Sequence, residues 1–169
     1  MADVKVSMVD AGDLKRLARD LRRHADGKEL RKELTGGFRG VLNPVRDQVK
    51  AAYLAQPASA GPHPTGRADL RVLLAKATRT EVRTSGRQAG ARVRVDGRKM
   101  PNRMKSLPGY REGYKRPWRH PVYGRRDNWV AQPARPLFDR ITQGHADEGL
   151  AAMNRVLDDV RRKLERGHP

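Results

Sequence analysis

The chain has 169 residues, which fits one domain, and only 37% of them are hydrophobic, so it can bury a modest core. Its 37 Lys and Arg outnumber its 19 Asp and Glu, and the net charge of +18 indicates an anionic partner, either nucleic acid or an acidic protein surface. The absence of cysteine excludes disulfides, thiolate nucleophiles and Cys-based zinc sites.

The sequence lacks a long apolar run and a strongly apolar face beside a basic one, so we expect no membrane partner. Its first residues also lack a charged segment followed by an apolar core, which is the pattern of a secretory signal. We therefore expect the chain to be made in a cytoplasm.

The N-terminal part of the chain shows helical patterning. Apolar residues at helical spacing follow Asp13, which predicts an amphipathic helix over residues 11–25 with that aspartate as its cap. We assign residues 1–27 to an N-terminal helical arm and residues 28–169 to a single α+β domain.

A second helical pattern covers residues 30–53. Gly36, Gly37 and Pro44 interrupt it, and either the glycine pair or the proline could kink or split a helix. The pattern therefore predicts one long, bent helix.

The patterning then changes twice. Residues 56–66 are rich in Pro, Gly and Ser, which predicts an exposed, mobile loop, and helical spacing returns over residues 67–77. Side chains alternate over residues 78–85 and again over 91–96, and the link between these stretches contains two glycines. The alternation predicts a hairpin with one buried face and one cationic face.

Residues 98–126 contain ten basic residues and one acid, Glu112, with prolines and glycines throughout. This composition predicts a long irregular basic loop or arm. A solvated cationic loop is one interpretation, but clustering without acids favours a patch that contacts phosphates or carboxylates. The candidate contacts to DNA or to a protein partner are Arg83, Arg92, Arg94, Arg98, Lys99, Arg103, Lys105, Arg111, Lys115, Arg116, Arg119, Arg125 and Arg126.

Residues 118–138 hold both tryptophans and one of the two phenylalanines of the chain. The large aromatic side chains of this segment are Trp118, Tyr123, Trp129 and Phe138. Burial would stabilise the fold by roughly 1.5 to 3 kcal/mol for each such ring, so we expect them in the core. Turn-forming residues in the middle of the segment predict two short extended pieces around a loop at residues 123–127.

Helical spacing returns after Pro136, with a possible break at Gln143 and Gly144. Apolar residues recur at three- and four-residue intervals from Leu150 to Leu164. Such a seam needs a partner, in this chain or in a neighbouring one.

The sequence carries no pattern of catalytic chemistry that we can identify. The five histidines are His24, His63, His120, His145 and His168. They form no HExxH motif, so we expect no metal site. Nucleophile-elbow, phosphate-loop and dinucleotide motifs are absent too, so we predict a protein that is not an enzyme and uses no cofactor.

The stretch WRHPVYGRRDNWVAQPARPLF, residues 118–138, resembles a family of tail-component proteins of long-tailed phages, named after gene product ten of phage HK ninety-seven. The actinobacterial phage and prophage branch is the most similar in its Arg-rich, Ala-rich composition. The order of elements upstream, with a long helix, a second helix and a basic hairpin, also fits. The motif residues that carry the likeness are Trp118, His120, Pro121, Tyr123, Gly124, Trp129, Gln132 and Phe138.

The resemblance implies an α+β fold, with long N-terminal and C-terminal helices packed on a small antiparallel sheet and an extended basic arm. It implies a structural virion protein at the head-to-tail junction, a neck or tail-completion component in a hexameric ring. Its neighbours would be stopper and tail-terminator proteins, with phage DNA in the channel, and it would assemble in the host cytoplasm. The alternative function is that of a sequence-nonspecific nucleic-acid-binding protein.

Overall fold

The structure is a computed structural model that describes residues 4–7, 11–57, 69–85, 89–121 and 127–166. Within these residues the chain forms an α+β fold, as the sequence predicts. The helices are α1 (Ala11–Arg23), α2 (Gly27–Leu54), α3 (Leu70–Ala77), α4 (Leu107–Arg111), α5 (Phe138–Gly144) and α6 (Ala146–Arg166). The strands are β1 (Val4–Ser7), β2 (Thr78–Arg83), β3 (Gly90–Val95), β4 (Trp118–Pro121) and β5 (Trp129–Gln132).

Three of the strands form one sheet in the order β1-β3-β2, and β4 pairs with β5 in a separate two-stranded sheet. The strands predicted from alternation, β2 and β3, are neighbours in their sheet, as a hairpin requires. Strand β1 cannot be predicted from the sequence, because an alternating pattern of four residues is too short to be told from coil. The presence of β1 makes β3 the central strand.

Residue contacts divide the chain into two compact units. The first unit consists of Met1–Lys5, Gln48–Arg79 and Arg94–Ile141. The second unit consists of Val6–Asp47, Thr80–Val93 and Thr142–Pro169. The expected boundary near residue 27 does not coincide with this division, because α1 and most of α2 belong to the same unit.

Helix α2 runs without interruption for 28 residues, through the glycine pair and through Pro44. A proline inside a helix costs about 3 kcal/mol, whereas burying one large apolar side chain contributes roughly 1.5 to 3 kcal/mol. The helix buries a stripe of such side chains, which outweighs the local cost. These side chains are Leu34, Phe38, Leu42, Val45, Val49 and Tyr53.

Helices α1, α2 and α6 supply much of the core of the second unit. The leucines of α1 are buried and α1 contacts α6, so the predicted N-terminal arm is a packed helix rather than a free one. The predicted cap is wrong in detail, because α1 begins at Ala11 and Asp13 lies in its first turn, paired with Arg16 at 2.5 Å. A helix dipole favours an acid at that place too.

The C-terminal helical region breaks where the sequence predicts, since α5 ends at Gly144 and α6 begins at Ala146. The middle of the predicted seam is buried, through Met153, Leu157 and Val160, whereas Leu150 is exposed. Part of the seam therefore has its partner within this chain, in the contact between α6 and α1.

Candidate interaction site

The hairpin arginines do not form the predicted cationic face. Arg92 and Arg94 are each 6% exposed, because β3 is the central strand and both of its faces are covered. Arg92 Nε lies 3.2 Å from a carboxylate oxygen of Glu81, which also pairs with Arg83 at 2.7 Å. The prediction that Arg92 and Arg94 present charge to a partner is therefore wrong for this structure.

Asp96 is the second acid that neutralises these arginines, and its side chain is 1% exposed. Arg79 Nη2 lies 2.6 Å from Oδ2, while Arg98 Nε and Arg94 Nη2 lie 3.1 Å and 3.4 Å from Oδ1. Burial alone would raise the pKa of Asp96, but the hydrogen bonds from the Arg98 side chain and backbone and the nearby arginine charges lower it overall. The carboxylate is therefore a charged centre that holds three guanidinium groups.

The basic stretch after β3 is more ordered than the predicted irregular arm. It contains two short 3₁₀ turns, at Gly97–Lys99 and Asn102–Met104, followed by α4 and β4. The candidate contacts of this stretch that are exposed are Arg98, Lys99, Arg116 and Arg119, and Arg83 at the end of β2 is exposed as well. Three other candidates are half-buried: Lys105, Arg111 and Lys115.

Three candidate cations cannot be placed on a surface. The side chain of Arg103 and residues Arg125 and Arg126 lie outside the described part of the chain. The expected mobile loop at residues 56–66 falls outside it as well, except for its first two residues.

Glu112 is the acid of the basic stretch, and it is buried, with 4% of its surface exposed. Its Oε1 accepts a hydrogen bond from the Tyr53 hydroxyl at 3.1 Å, and its Oε2 accepts from the backbone N–H groups of Leu137 and Phe138, each at 2.9 Å. Burial raises the pKa of Glu112, although these hydrogen bonds act in the opposite direction. This carboxylate joins the end of α4 to α2 and to the start of α5.

Strands β4 and β5 form an antiparallel ribbon, in which Trp118 pairs with Gln132 and Pro121 pairs with Trp129. The prediction of two extended pieces is therefore confirmed. All four residues of β5 are exposed, and Trp129 and Val130 keep 48% and 45% of their surface in solvent. The prediction that Trp129 belongs to the core is wrong.

The other motif residues divide into three groups. Phe138 is fully buried, which confirms its predicted role in the core. The side chains of Trp118, His120 and Pro121, and residues Tyr123 and Gly124, lie outside the described part of the chain. Gln132 lies at the end of β5 and lines a cavity.

This cavity has a volume of about 200 Å³ and lies within the first unit. Arg111, at the end of α4, and Arg135, just before α5, both line it. The backbone N–H of Arg135 donates to the Arg111 carbonyl at 2.7 Å, which fixes the two residues beside each other. Arg135 is not one of the contact residues predicted from the sequence, because two arginines 24 positions apart give no sign that they lie close together in the fold.

Searches for similar proteins found no matching family model, no matching curated protein and no matching solved structure. Among the described residues, no helix is long and apolar enough to cross a bilayer. The same residues contain no cluster of three or more His, Asp or Glu side chains that could hold a metal ion.

Proposed function

We propose that this chain is a structural protein of a phage virion, a neck or tail-completion component that forms a hexameric ring at the head-to-tail junction. It acts by binding other copies and neighbouring ring proteins such as a stopper and a tail terminator. It is not a catalyst. The proposal begins from the resemblance of residues 118–138 to tail-component proteins.

The exposed ribbon is the observation that carries this proposal. A two-stranded ribbon is at best marginally stable in water, and needs further strands or a helix to cover it. Trp129 and Val130 are adjacent in β5, so their side chains point to opposite faces of the ribbon, and both are about half exposed. An arm that exposes an apolar side chain on each face suits insertion between two neighbouring subunits of a ring.

The charge of the chain is compatible with this position. A net charge of +18 disfavours contact between identical copies unless acidic surfaces or DNA phosphates compensate for it. A ring around a DNA channel, stacked on other proteins, offers both kinds of compensation.

Purified virions test the proposal directly. We expect mass spectrometry and cryo-electron microscopy to find the protein as a ring at the neck, and its absence from intact particles would overturn the assignment. For the isolated protein, mass photometry should detect a species with six times the monomer mass.

Changes at the ribbon should weaken assembly without unfolding the protein. We predict that Trp129→Ser lowers the hexamer fraction at least about tenfold, since the few residues that dominate an interface are enriched in Trp and contribute about 2 kcal/mol or more each. Leu150→Ser is the matched control, because Leu150 is also exposed but lies on α6. Equal assembly of the wild type and of both variants would contradict a role for the ribbon.

The alternative function, sequence-nonspecific nucleic-acid binding, is favoured by the exposed Arg98, Lys99, Arg116 and Arg119. It predicts tight binding of monomers to any duplex, with an affinity that falls steeply as salt rises. A gel shift with random-sequence duplex at near-physiological salt distinguishes the two functions. Tight binding by a monomer that never forms rings would favour this alternative.

A further inference from the structure

The geometry points to the cavity beside Arg111 and Arg135 as a binding pocket for a carboxylate on a short aliphatic stem, the chemistry of a glutamate side chain on a partner protein. This inference does not rest on the proposed place of the chain in a virion. It follows from the shape, the lining and the charge of the cavity.

The lining combines two kinds of surface. Pro57, Leu70, Leu107 and Pro133 are the apolar lining residues, and Arg111 and Arg135 are the basic ones. Tyr110 and Gln132 add further polar groups. An apolar wall beside cations suits a ligand that has an aliphatic stem and an anionic head, because the stem leaves water while the head is paired.

The acid nearest to Arg111 in sequence is Glu112, and the hydrogen bonds of its carboxylate are to other groups. The carboxylate of Glu112 accepts hydrogen bonds from Tyr53, Leu137 and Phe138. Arg111 Nε is buried and has no hydrogen-bond partner among the described residues. Burial lowers the pKa of Arg111, and repulsion by the charge of Arg135 acts in the same direction, while Tyr53 and Glu112 act in the opposite direction and offset only part of the shift. A bound anion would relieve this repulsion.

A third cation lies next to the lining. Lys115 Nζ is 5.2 Å from the centre of the Tyr110 ring, within the range of a cation–π contact. Its charge adds to the positive potential around a residue that lines the cavity. The potential therefore favours a negative group.

The size of the cavity selects the kind of anion. About 200 Å³ is less than the roughly 300 to 1,000 Å³ typical of sites for drug-sized ligands, so a single side chain fits better than a nucleotide. Guanidinium groups present planar pairs of N–H donors that match a carboxylate. Guanidinium groups pair with phosphates in the same way, so it is the small volume that favours a single acidic side chain over the phosphate backbone of a nucleic acid.

The test follows the arginine Nε–Hε signals of the full-length protein by NMR during titration. The probe is the peptide acetyl-Gly-Glu-Gly-amide, and its controls are the same peptide with Gln and inorganic phosphate. We expect saturable shifts at Arg111 and Arg135 with the Glu peptide alone, with a dissociation constant of roughly 1 mM. No saturable shift, or equal binding of phosphate or of the Gln peptide, would overturn the inference.

Two variants and one control separate this site from general charge attraction. Arg135→Gln should weaken binding at least about tenfold, whereas Arg19→Gln, which removes an exposed charge on α1, should leave it unchanged. Equal losses in both variants would show that net charge alone attracts the peptide.

Arg111→Met keeps the aliphatic stem of the side chain and removes its charge. We expect this variant to lose binding while its melting temperature stays equal or rises, because a partly buried, repelled cation is gone. A lower melting temperature together with retained binding would show that Arg111 serves the fold rather than a ligand.

Discussion

Two buried carboxylates, Asp96 and Glu112, have different surroundings and respond differently to pH. Asp96 faces three arginines, and its pKa is lowered despite its burial. Glu112 accepts hydrogen bonds from neutral donors, and its burial raises its pKa. Ionised Asp96 therefore contributes stability above pH 3.8, which is the ordinary pKa of an aspartate. That stability is lost as the pH falls through the lowered pKa of the folded state. Protonated Glu112 contributes stability below pH 4.5, which is the ordinary pKa of a glutamate. That stability is lost as the pH rises through the raised pKa of the folded state.

We predict that Asp96→Asn destabilises the protein by about 3 kcal/mol at neutral pH, because buried arginine charge then lacks a carboxylate. The variant should also lose less stability than the wild type between about pH 5 and pH 2, because the titrating group has been removed. Urea unfolding at several pH values measures both effects. Asp20→Asn, at an exposed position of α1, is the control and should follow the wild type.

Two features of the fold cannot be predicted from the sequence: the burial of Glu112 and the burial of the arginines of β3. An acid among ten basic residues reads as a solvated charge, and Glu112 is instead buried against a tyrosine 59 positions earlier. Alternation in β3 predicts one exposed face, but Arg92 and Arg94 are buried because both faces of β3 are covered. Pairings over such distances depend on topology, which local patterns do not contain.

At the scale of elements, the close approach of α2 and α6 depends on Gly37. A Cβ at that position would lie 2.6 Å from Cγ1 of Val156, well inside contact distance. The β-branched valine has little rotamer freedom in a helix, so it cannot easily move away. Gly37 thus permits α6 to pack against α2 within the second unit.

We predict that Gly37→Ala lowers the free energy of unfolding by about 1 to 3 kcal/mol, the usual cost of overpacking. Gly36→Ala and Gly40→Ala are matched controls, because a Cβ at either site meets nothing within 4 Å. Both should stabilise the protein by roughly 0.5 to 1 kcal/mol through helix propensity. Val156→Ala should rescue Gly37→Ala in part, and a Gly37→Ala variant as stable as the controls would contradict the close contact.

The sequence predicts the helices and the longer strands, but it predicts less well which of their side chains are buried. Regular apolar spacing predicts the long α2 and the break between α5 and α6, since burying one face of each helix requires that spacing. The sequence also predicts the two strands of the ribbon. It does not predict the exposure of Trp129, because a tryptophan is equally suited to a core and to an interface.

For the whole molecule, the net charge of +18 acts on stability as well as on binding. Basic side chains gather along α2, where Lys28, Arg31, Lys32 and Arg39 line one surface depression. Mutual repulsion of such charges destabilises the compact state, and salt screens it over about 10 Å at 0.1 M. The ion pairs of the fold leave this excess unchanged, because the net charge already counts their acids.

We predict that raising sodium chloride from about 0.05 to 0.5 M increases the melting temperature by a few degrees, because screened repulsion outweighs weakened surface ion pairs. The double variant Lys32→Gln and Arg39→Gln, with two charges fewer, should respond less to salt. Differential scanning calorimetry measures the shift. A melting temperature that falls with salt would show that attractive pairs dominate instead.

The hydrogen bonds of Glu112 tie together two points of the chain that are distant in sequence. Glu112 and Leu137 lie 25 positions apart in sequence but share a hydrogen bond, so the intervening stretch leaves and re-enters the fold at one place. Gly113, with a φ of 83°, turns the chain away directly after this carboxylate. A segment whose two ends are tied together can be lengthened, shortened or exchanged at little entropic cost to the remainder. Folding of the remainder should therefore tolerate natural variation and deliberate grafting between these two anchors, whereas assembly through the ribbon should not.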